Sequence, residues 1–390
     1  HMKKNLFKVP SKKIIITSVI IIALLLISLF FSRELETAFK LRPDTSPIAN
    51  KELTLSVHFV DVGQGDAILA KLPDGKTLMV DSGPKSAQKK LVNYIDKVFF
   101  KDVTEKKLDY VILTHSDADH SGNMLYILNN YDVVNFYRPN IYANNAESDV
   151  IENYIGSINV VTSATYNNLI ERVIELDNVN DIDVYFSQAG IEITNENGFK
   201  LTFLTPNVNY YNKTNNYSPI IMIEYSGKKI MLTGDAEESV EAELLLNVDN
   251  SILDVDLLKL GHHGSASSTS YGFLEVVKPE YAVICVGEGN NYGHPSQATM
   301  NNINLYSINN YSDLKDNVFL TSVNNNIIFY VIKNDEFYES DLITITPDIK
   351  IPVPVGQNQH GSARFATDAE KEEMFCVGYV EEKMKGSDEG

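Results

Sequence analysis

Cysteine is nearly absent from this chain: only Cys285 and Cys376 occur in 390 residues, far apart and in no metal-ligand spacing. Neither a disulfide framework nor a cysteine-based zinc site is supported, and both read as isolated thiols. Positive charge is scarce as well. Against 52 Asp and Glu stand 33 Lys and Arg, giving a formal net charge of -19 and a sequence pI of about 4.8. That balance works against a broad electrostatic grip on nucleic acid or on an anionic lipid surface. A polyanionic substrate must then be held by metals or by a local patch. No internal repeat is visible. What the chain does have is 44% hydrophobic and 22% charged residues, enough for a sizeable folded core in one large domain or two smaller ones.

The N-terminus holds an uninterrupted apolar stretch from Ile14 to Phe31, with Thr17, Ser18 and Ser28 its only polar members. As a helix it spans roughly 27 Å, just enough for a bilayer core. Lys3, Lys4, Lys8, Lys12 and Lys13 precede it with no acidic residue among them. The positive-inside rule then places residues 1–13 in the cytoplasm and everything after Arg33 outside. A cleaved secretory signal is the competing reading; against it, the run is long for a signal and Ser32 to Lys40 offers no good small-x-small cleavage site. The expected result is a single-pass, extracytoplasmic protein of the cell membrane. His1-Met2 reads as a cloning remnant.

After this anchor at 14–31, residues 32–52 are polar with two prolines and suit a short stalk. A folded domain is expected over 53–345. Its first part alternates strands and helices: a strand at Leu55 to Val60, a hairpin of Ala67 to Lys71 and Lys76 to Val80 across Pro73-Asp74-Gly75, a helix from Lys85 to Phe100, and a strand from Leu108 to Thr114. Residues 128–200 are Asn-rich and weakly periodic, with strands expected at Ile158 to Thr162 and Val184 to Ser187. From Phe199 the pattern sharpens into strands at Leu201 to Leu204, Ile220 to Tyr225, Lys229 to Leu232, Leu257 to Leu260 and Tyr281 to Val286, with a helix from Glu237 to Leu246. Strands around Val318, Ile327 to Ile332 and Leu342 to Ile345 close the domain. Two β-rich halves, each with helices, predict a layered α/β sandwich. Residues 346–390 are expected to form a flexible tail.

The sharpest local signal is Thr114-His115-Ser116-Asp117-Ala118-Asp119-His120-Ser121-Gly122, which packs four potential metal ligands directly behind an apolar strand. Grouping carboxylates and imidazoles at a strand end costs solvation and repulsion unless a cation is bound. A solvated Asp-rich turn is the plainer alternative. An EF-hand is excluded, because Leu128 stands where the closing Glu is required and a strand precedes the loop. Mixed His and Asp ligands favour zinc, manganese or iron over calcium. Three further segments follow apolar strands in the same way: Thr233-Gly234-Asp235, Gly261-His262-His263-Gly264 and Tyr292-Gly293-His294-Pro295. Alone, a Gly-Asp pair is as readily a structural turn.

This ordered set, with His58-Phe59-Val60-Asp61-Val62-Gly63-Gln64-Gly65-Asp66-Ala67 before it, resembles the metallo-β-lactamase fold superfamily. More narrowly it is similar to the hydrolase domain of the ComEC competence family, over roughly residues 53–335. The resemblance implies a four-layer αββα sandwich and two divalent transition-metal ions, zinc or manganese. His115 and Asp117 would serve one ion, Asp119 and His120 the other, Asp235 would bridge, and the late ligand would come from His262 or His263, with His263 favoured because it precedes Gly264. Asp117 replaces the second His of the broad pattern, a change this subfamily shares. The middle His is missing from Asn215-Asn216-Tyr217-Ser218, where Asn216 or water is expected to fill in. His294 is open as a general acid or a substrate contact, or as a helix-start residue before Pro295. Asp61 and Asp81 read as scaffold, Asp61 orienting the ligand loop.

The implied function is a membrane-anchored, metal-dependent hydrolase in which Asp117 and Asp119 assist attack by a metal-bound hydroxide. Its expected partner is a phosphodiester, with single-stranded DNA outside the membrane as first choice. A cell-wall or teichoic-acid phosphodiesterase of phosphorylcholine esterase type, and a degenerate non-catalytic binding module, are the alternatives. Fold alone does not choose among them.

Overall fold

The computed structural model describes residues 54–101, 103–141, 143, 162–208 and 210–333, with short strands at Ser340–Ile345, Pro354–Gln357 and Ala363–Phe365 beyond. The basic segment, the apolar run 14–31, the stalk and nearly all of the strand expected at 158–162 lie outside the described residues. Among the described residues, no helix is long and apolar enough to cross a membrane. The last two short strands pair antiparallel within the stretch expected as a tail.

Six strands open the domain: β1 (Thr54–Phe59), β2 (Ile68–Lys71), β3 (Thr77–Val80), β4 (Lys107–Ile112), β5 (Asp132–Arg138) and β6 (Asp183–Phe186). Seven more form a second sheet: β7 (Glu192–Thr194), β8 (Lys200–Phe203), β9 (Ile221–Tyr225), β10 (Lys228–Leu232), β11 (Leu257–Lys259), β12 (Tyr281–Ile284) and β13 (Val318–Leu320). Then β14 (Ile327–Lys333) and β15 (Ser340–Ile345) return to the first sheet, whose order is β15-β14-β1-β2-β3-β4-β5-β6; the second runs β13-β12-β11-β10-β9-β8-β7. The β2–β3 hairpin closes where Gly75 takes a positive φ and Asp74 Oδ1 accepts the Lys76 N–H at 3.1 Å.

Period-two alternation divides the strand residues between two apolar layers. Leu55, Val57, Phe59, Ile68 and Val80 from the first sheet meet Ile221, Ile223, Ile230, Leu257 and Val283 from the second, all buried. Their alternates Leu69, Met79, Val111, Met222, Met231 and Leu258 belong to the cluster that packs the helices. Each fully buried aliphatic side chain contributes roughly 1.5–3 kcal/mol, so this double layer makes the αββα sandwich the stable arrangement.

The helices are α1 (Gln88–Tyr94), prolonged by a π-helical turn at Ile95–Phe99, then α2 (Ala118–Ser121), α3 (Met124–Asn130), α4 (Ala164–Asn178), α5 (Glu238–Asn247), α6 (Tyr271–Val277), α7 (Gln297–Asn310) and α8 (Thr321–Asn324). Sequence reading missed β5, α4, α6 and α7. A signal was present for three of them: Ser163, Ser270 and Ser296 each accept a backbone N–H of the following first turn, as capping side chains do. Strands β3 to β6 are mutually parallel, as are β10 to β13. The loops leaving the carboxyl ends of β3, β4, β10, β11 and β12 therefore gather along one rim, where open α/β sheets place their ligands.

Candidate metal centre

The β4 exit carries His115, Asp117, Asp119 and His120; Asp117 precedes α2 in extended conformation, and Asp119 and His120 lie within its single turn. The β10 exit carries Asp235 and the β11 exit His262 and His263, both at positive φ (46° and 53°). His120 Nε2 lies 3.3 Å from His263 Nε2 and 3.2 Å from Asp235 Oδ1. His263 Nε2 is also 3.4 Å from Asp235 Oδ2 and 3.3 Å from Asp119 Oδ2. His115 Nε2 stands 3.9 Å from Asp235 Oδ2 and 3.8 Å from Asp117 Oδ2, and His262 Nε2 is 3.7 Å from that same Asp235 oxygen. One compact cluster thus comprises Asp119, His120, His263 and Asp235. A looser one beside it comprises His115, Asp117 and Asp235, with His262 at its edge.

The far side of each ring fixes what these nitrogens can be. His120 Nδ1 lies 2.7 Å from Asp81 Oδ2, and His263 Nδ1 lies 2.8 Å from the Cys285 carbonyl. Both partners only accept, so each Nδ1 carries the hydrogen. His115 Nδ1 is 3.0 Å from Thr114 Oγ1, whose own hydroxyl donates to Asp81 Oδ2, so this nitrogen donates too. In their neutral forms all three imidazoles therefore present bare Nε2 lone pairs to the Asp235 carboxylate. Buried acceptors facing acceptors at such distances repel unless a cation lies between them. Consistent with this, His115 Nε2 and Asp235 Oδ1 are buried without a hydrogen-bond partner. Imidazole nitrogens and carboxylate oxygens fit a zinc-like or manganese-like ion.

Protonation shows the same demand for positive charge. Burial opposes the charged form of His120 and His263, but Asp235 and the neighbouring carboxylates outweigh it and raise both well above the ordinary imidazole value. Burial likewise opposes ionisation of Asp235 and Asp119, and the adjacent imidazoles reverse it, holding both carboxyls well below their usual range. Burial raises Asp117. Burial, assisted by His120, lowers His115 to about 4.

A second set of close donors, Asp66, His120 and His263, lies on the Nδ1 side of the rings. There a cation is already built in: Lys259 Nζ lies 2.5 Å from Asp66 Oδ2 and donates to the Gly234 carbonyl at 2.7 Å, wholly buried. Burial raises the Asp66 pKa, yet Lys259 and the two imidazoles bring it down to about 2. Sequence reading missed Lys259, Asp66 and Ser218, whose hydroxyl accepts the Asp235 N–H at 3.1 Å and lies 3.3 Å from His115 Nδ1. Gly65 seats this wall at φ +138, where a Cβ would fall 2.2 Å from the Asp119 carbonyl oxygen.

Three expectations are corrected. Asn216 does not fill the gap in the looser cluster: its amide donates to Ser239 Oγ and accepts from the Glu237 N–H, tying the turn before β9 to the start of α5. Asn215, one residue earlier, has its Nδ2 3.4 Å from both His262 nitrogens instead. Asp61 holds its own turn through the Gly63 N–H and pairs with Lys90, whereas Asp81 holds the ligand loop. His294 is not a helix start, since α7 begins at Gln297 under a Ser296 cap. Its ring lies 5.3 Å from that of His262, and burial with the neighbouring imidazoles lowers it to about 4. Asp117 and Asp119 open onto a cleft of about 660 Å³, also lined by Gln64, Lys85 and Tyr292. A larger cavity of about 1100 Å³ sits at the opposite strand ends, lined by Lys71, Lys76 and Asp109, with no imidazole.

The family model described as the metallo-beta-lactamase superfamily matches residues 60–288. ComE operon protein 3 of Bacillus subtilis is 28% identical over 264 residues, covering 65% of this chain and 31% of the relative. Recombination protein 2 of Haemophilus influenzae is 26% identical, covering 65% and 27%. Competence protein ComA of Neisseria gonorrhoeae is 26% identical, covering 68% and 31%. The chain therefore spans about a third of the length of the curated relatives it matches, and the likeness to ComEC-type competence proteins implied by its motifs is shown. Among solved structures, the metallo-beta-lactamase fold protein YhfI of Bacillus subtilis aligns over 71% of this chain and 99% of its own at 12% identity and TM-score 0.39, too distant a likeness to bear on the chemistry.

Proposed function

Because the chain belongs to the metallo-β-lactamase superfamily, we propose that it is a metal-dependent phosphodiesterase that cleaves DNA outside the membrane, to which residues 14–31 anchor it. The observation that carries the hydrolytic part is the convergence of three bare Nε2 atoms on the buried Asp235 carboxylate. Asp119, His120, His263 and Asp235 would hold one divalent ion, and His115, Asp117 and Asp235 a second, with His262 the nearest further imidazole. Such a pair, zinc or manganese, supplies Lewis acidity and a water activated near neutral pH. Asp81, Thr114 and the Cys285 carbonyl hold the rings in the tautomer that leaves Nε2 free. Asp117 and Asp119, partly exposed, line the cleft and would orient a water there by accepting its hydrogens. His294, neutral at pH 7, offers an imidazole contact to substrate at the same rim. The likeness to a recombination protein and to a competence protein supports DNA over other phosphodiesters.

The test is metal analysis of the purified full chain together with turnover of bis-p-nitrophenyl phosphate and of single-stranded DNA. Close to two transition-metal ions per chain are expected, and Asp119→Ala removes both activities and lowers metal content. Metal content near zero, with no turnover in added manganese or zinc, points to a non-catalytic module and ends this reading.

A further inference from the structure

We propose that Tyr292, backed by His294, is a stacking platform for a nucleobase beside the scissile phosphate. This deepens the phosphodiesterase reading and rests on it. Tyr292 is 71% exposed, so its ring does not serve the core. Its backbone is nevertheless held in place: Asn290 Oδ1 accepts the N–H groups of Tyr292 and His294, both at 3.1 Å, while its Nδ2 donates to the carbonyls of Gly287 and His294. Gly287 in turn donates to Gln64 Oε1 at 3.1 Å, and a Cβ there would meet the Gln64 nitrogen at 2.6 Å. The loop is thereby clasped to Gln64, which lines the same cleft.

The rings form a graded series leading out from the metal centre. His294 lies 6.2 Å from His263 with planes 30° apart, and Tyr292 lies 5.9 Å from His294 with planes 26° apart. The outer ring lines the same 660 Å³ cleft as Asp117 and Asp119, a volume suited to a nucleotide-sized group. Lys85, exposed, stands on that cleft's wall and suits a neighbouring phosphate. A chain of net charge -19 gains little from counterion release. Affinity for a single strand must come from contacts such as base stacking, which every base can make through its π-face.

The experiment compares steady-state cleavage of a short single-stranded oligonucleotide with that of one abasic around the cut, by the metal-loaded full chain and by Tyr292→Ala and Tyr292→Trp. Loss of one stack is expected to raise KM for the normal strand roughly five- to a hundredfold in Tyr292→Ala. The ratio of KM values between abasic and normal strands falls toward one in that variant, and Tyr292→Trp retains the wild-type ratio. Equal losses on both strands, or no loss at all, overturn the platform. So does a Tyr292→Ala effect confined to choline phosphodiesters, which would mark a cation–π site instead. A wild-type protein that cleaves no DNA sinks the functional reading itself, whereas wild-type cleavage indifferent to the missing bases sinks only the platform.

Discussion

Asp81 controls which nitrogen of His120 is free, and Asp81→Asn tests that directly. The aspartate sits at φ 58°, a left-handed conformation that Asn tolerates as well, so the backbone is undisturbed. Its carboxylate is wholly buried and receives three donors: the Thr114 N–H at 2.8 Å, the Thr114 hydroxyl at 2.7 Å and His120 Nδ1 at 2.7 Å. An amide has one accepting oxygen and two donating hydrogens, so it cannot receive all three. If its oxygen keeps Thr114, its NH2 faces His120 Nδ1 and forces that nitrogen to accept. The ring then keeps its hydrogen at Nε2 alone, where Asp235 Oδ1 waits at 3.2 Å. The metal-free protein loses the Nδ1 bond to a charged group, about 1.5–3 kcal/mol. A bound ion would lose the Nε2 lone pair. Disturbing a partner of this kind weakens metal affinity about 10- to 100-fold, equivalent to ~1.4–2.7 kcal/mol. Zinc competition against a chromogenic chelator reads the affinity, with urea unfolding of the metal-free protein as control. Unchanged zinc affinity in a folded Asp81→Asn would refute the tautomer argument.

Two further expectations concern buried charge. Lys259→Met strands the Asp66 carboxylate in the interior without its ammonium, and breaking such a pair costs about 3–5 kcal/mol; urea unfolding reads the loss, and a change under ~1 kcal/mol contradicts the pairing. His58, buried between Tyr94 and Ser56, is brought down to about 3 by burial and by Lys71, from 6.5 when free. Between those values the unfolded chain binds a proton that the folded one refuses, so stability is full above pH 6.5 and falls as pH drops toward 3, by at most about 1.4 kcal/mol per unit. His58→Gln should flatten that slope in unfolding measured between about pH 4 and 6; an unchanged slope removes His58 as its cause.

The ligand-bearing loops were legible because each places unlike residue types, a carboxylate or imidazole behind an apolar strand, in one short stretch. Strands β1 to β4 and β8 to β12 were legible because their apolar runs are bounded by turns. Strand β5 was not: Asp132, Asn135 and Arg138 interrupt its apolar residues, and Asn135 is paid for by a hydrogen bond to the Asp109 carbonyl of β4 that no local pattern announces. Helix α4 was hidden by the asparagines around it, although Leu169, Ile170, Val173 and Leu176 keep helical spacing and are buried. Nothing in the run Leu257-Leu258-Lys259-Leu260 announces that the ammonium is buried. Only its partner Asp66, delivered by the loop between β1 and β2, shows why an ammonium lies in the interior.

His115, Asp119 and His120 hang from one sheet of the sandwich, and Asp235 and His263 from the other. An ion gripped by both sets would act as a rivet through the rim, and prising the two leaves apart there would undo its grip on both sides together. Withdrawing it would leave like-natured atoms from opposite leaves facing one another across the seam. Chelation should therefore be felt first as a parting of the leaves along that margin, while the far ends of the strands stay closed.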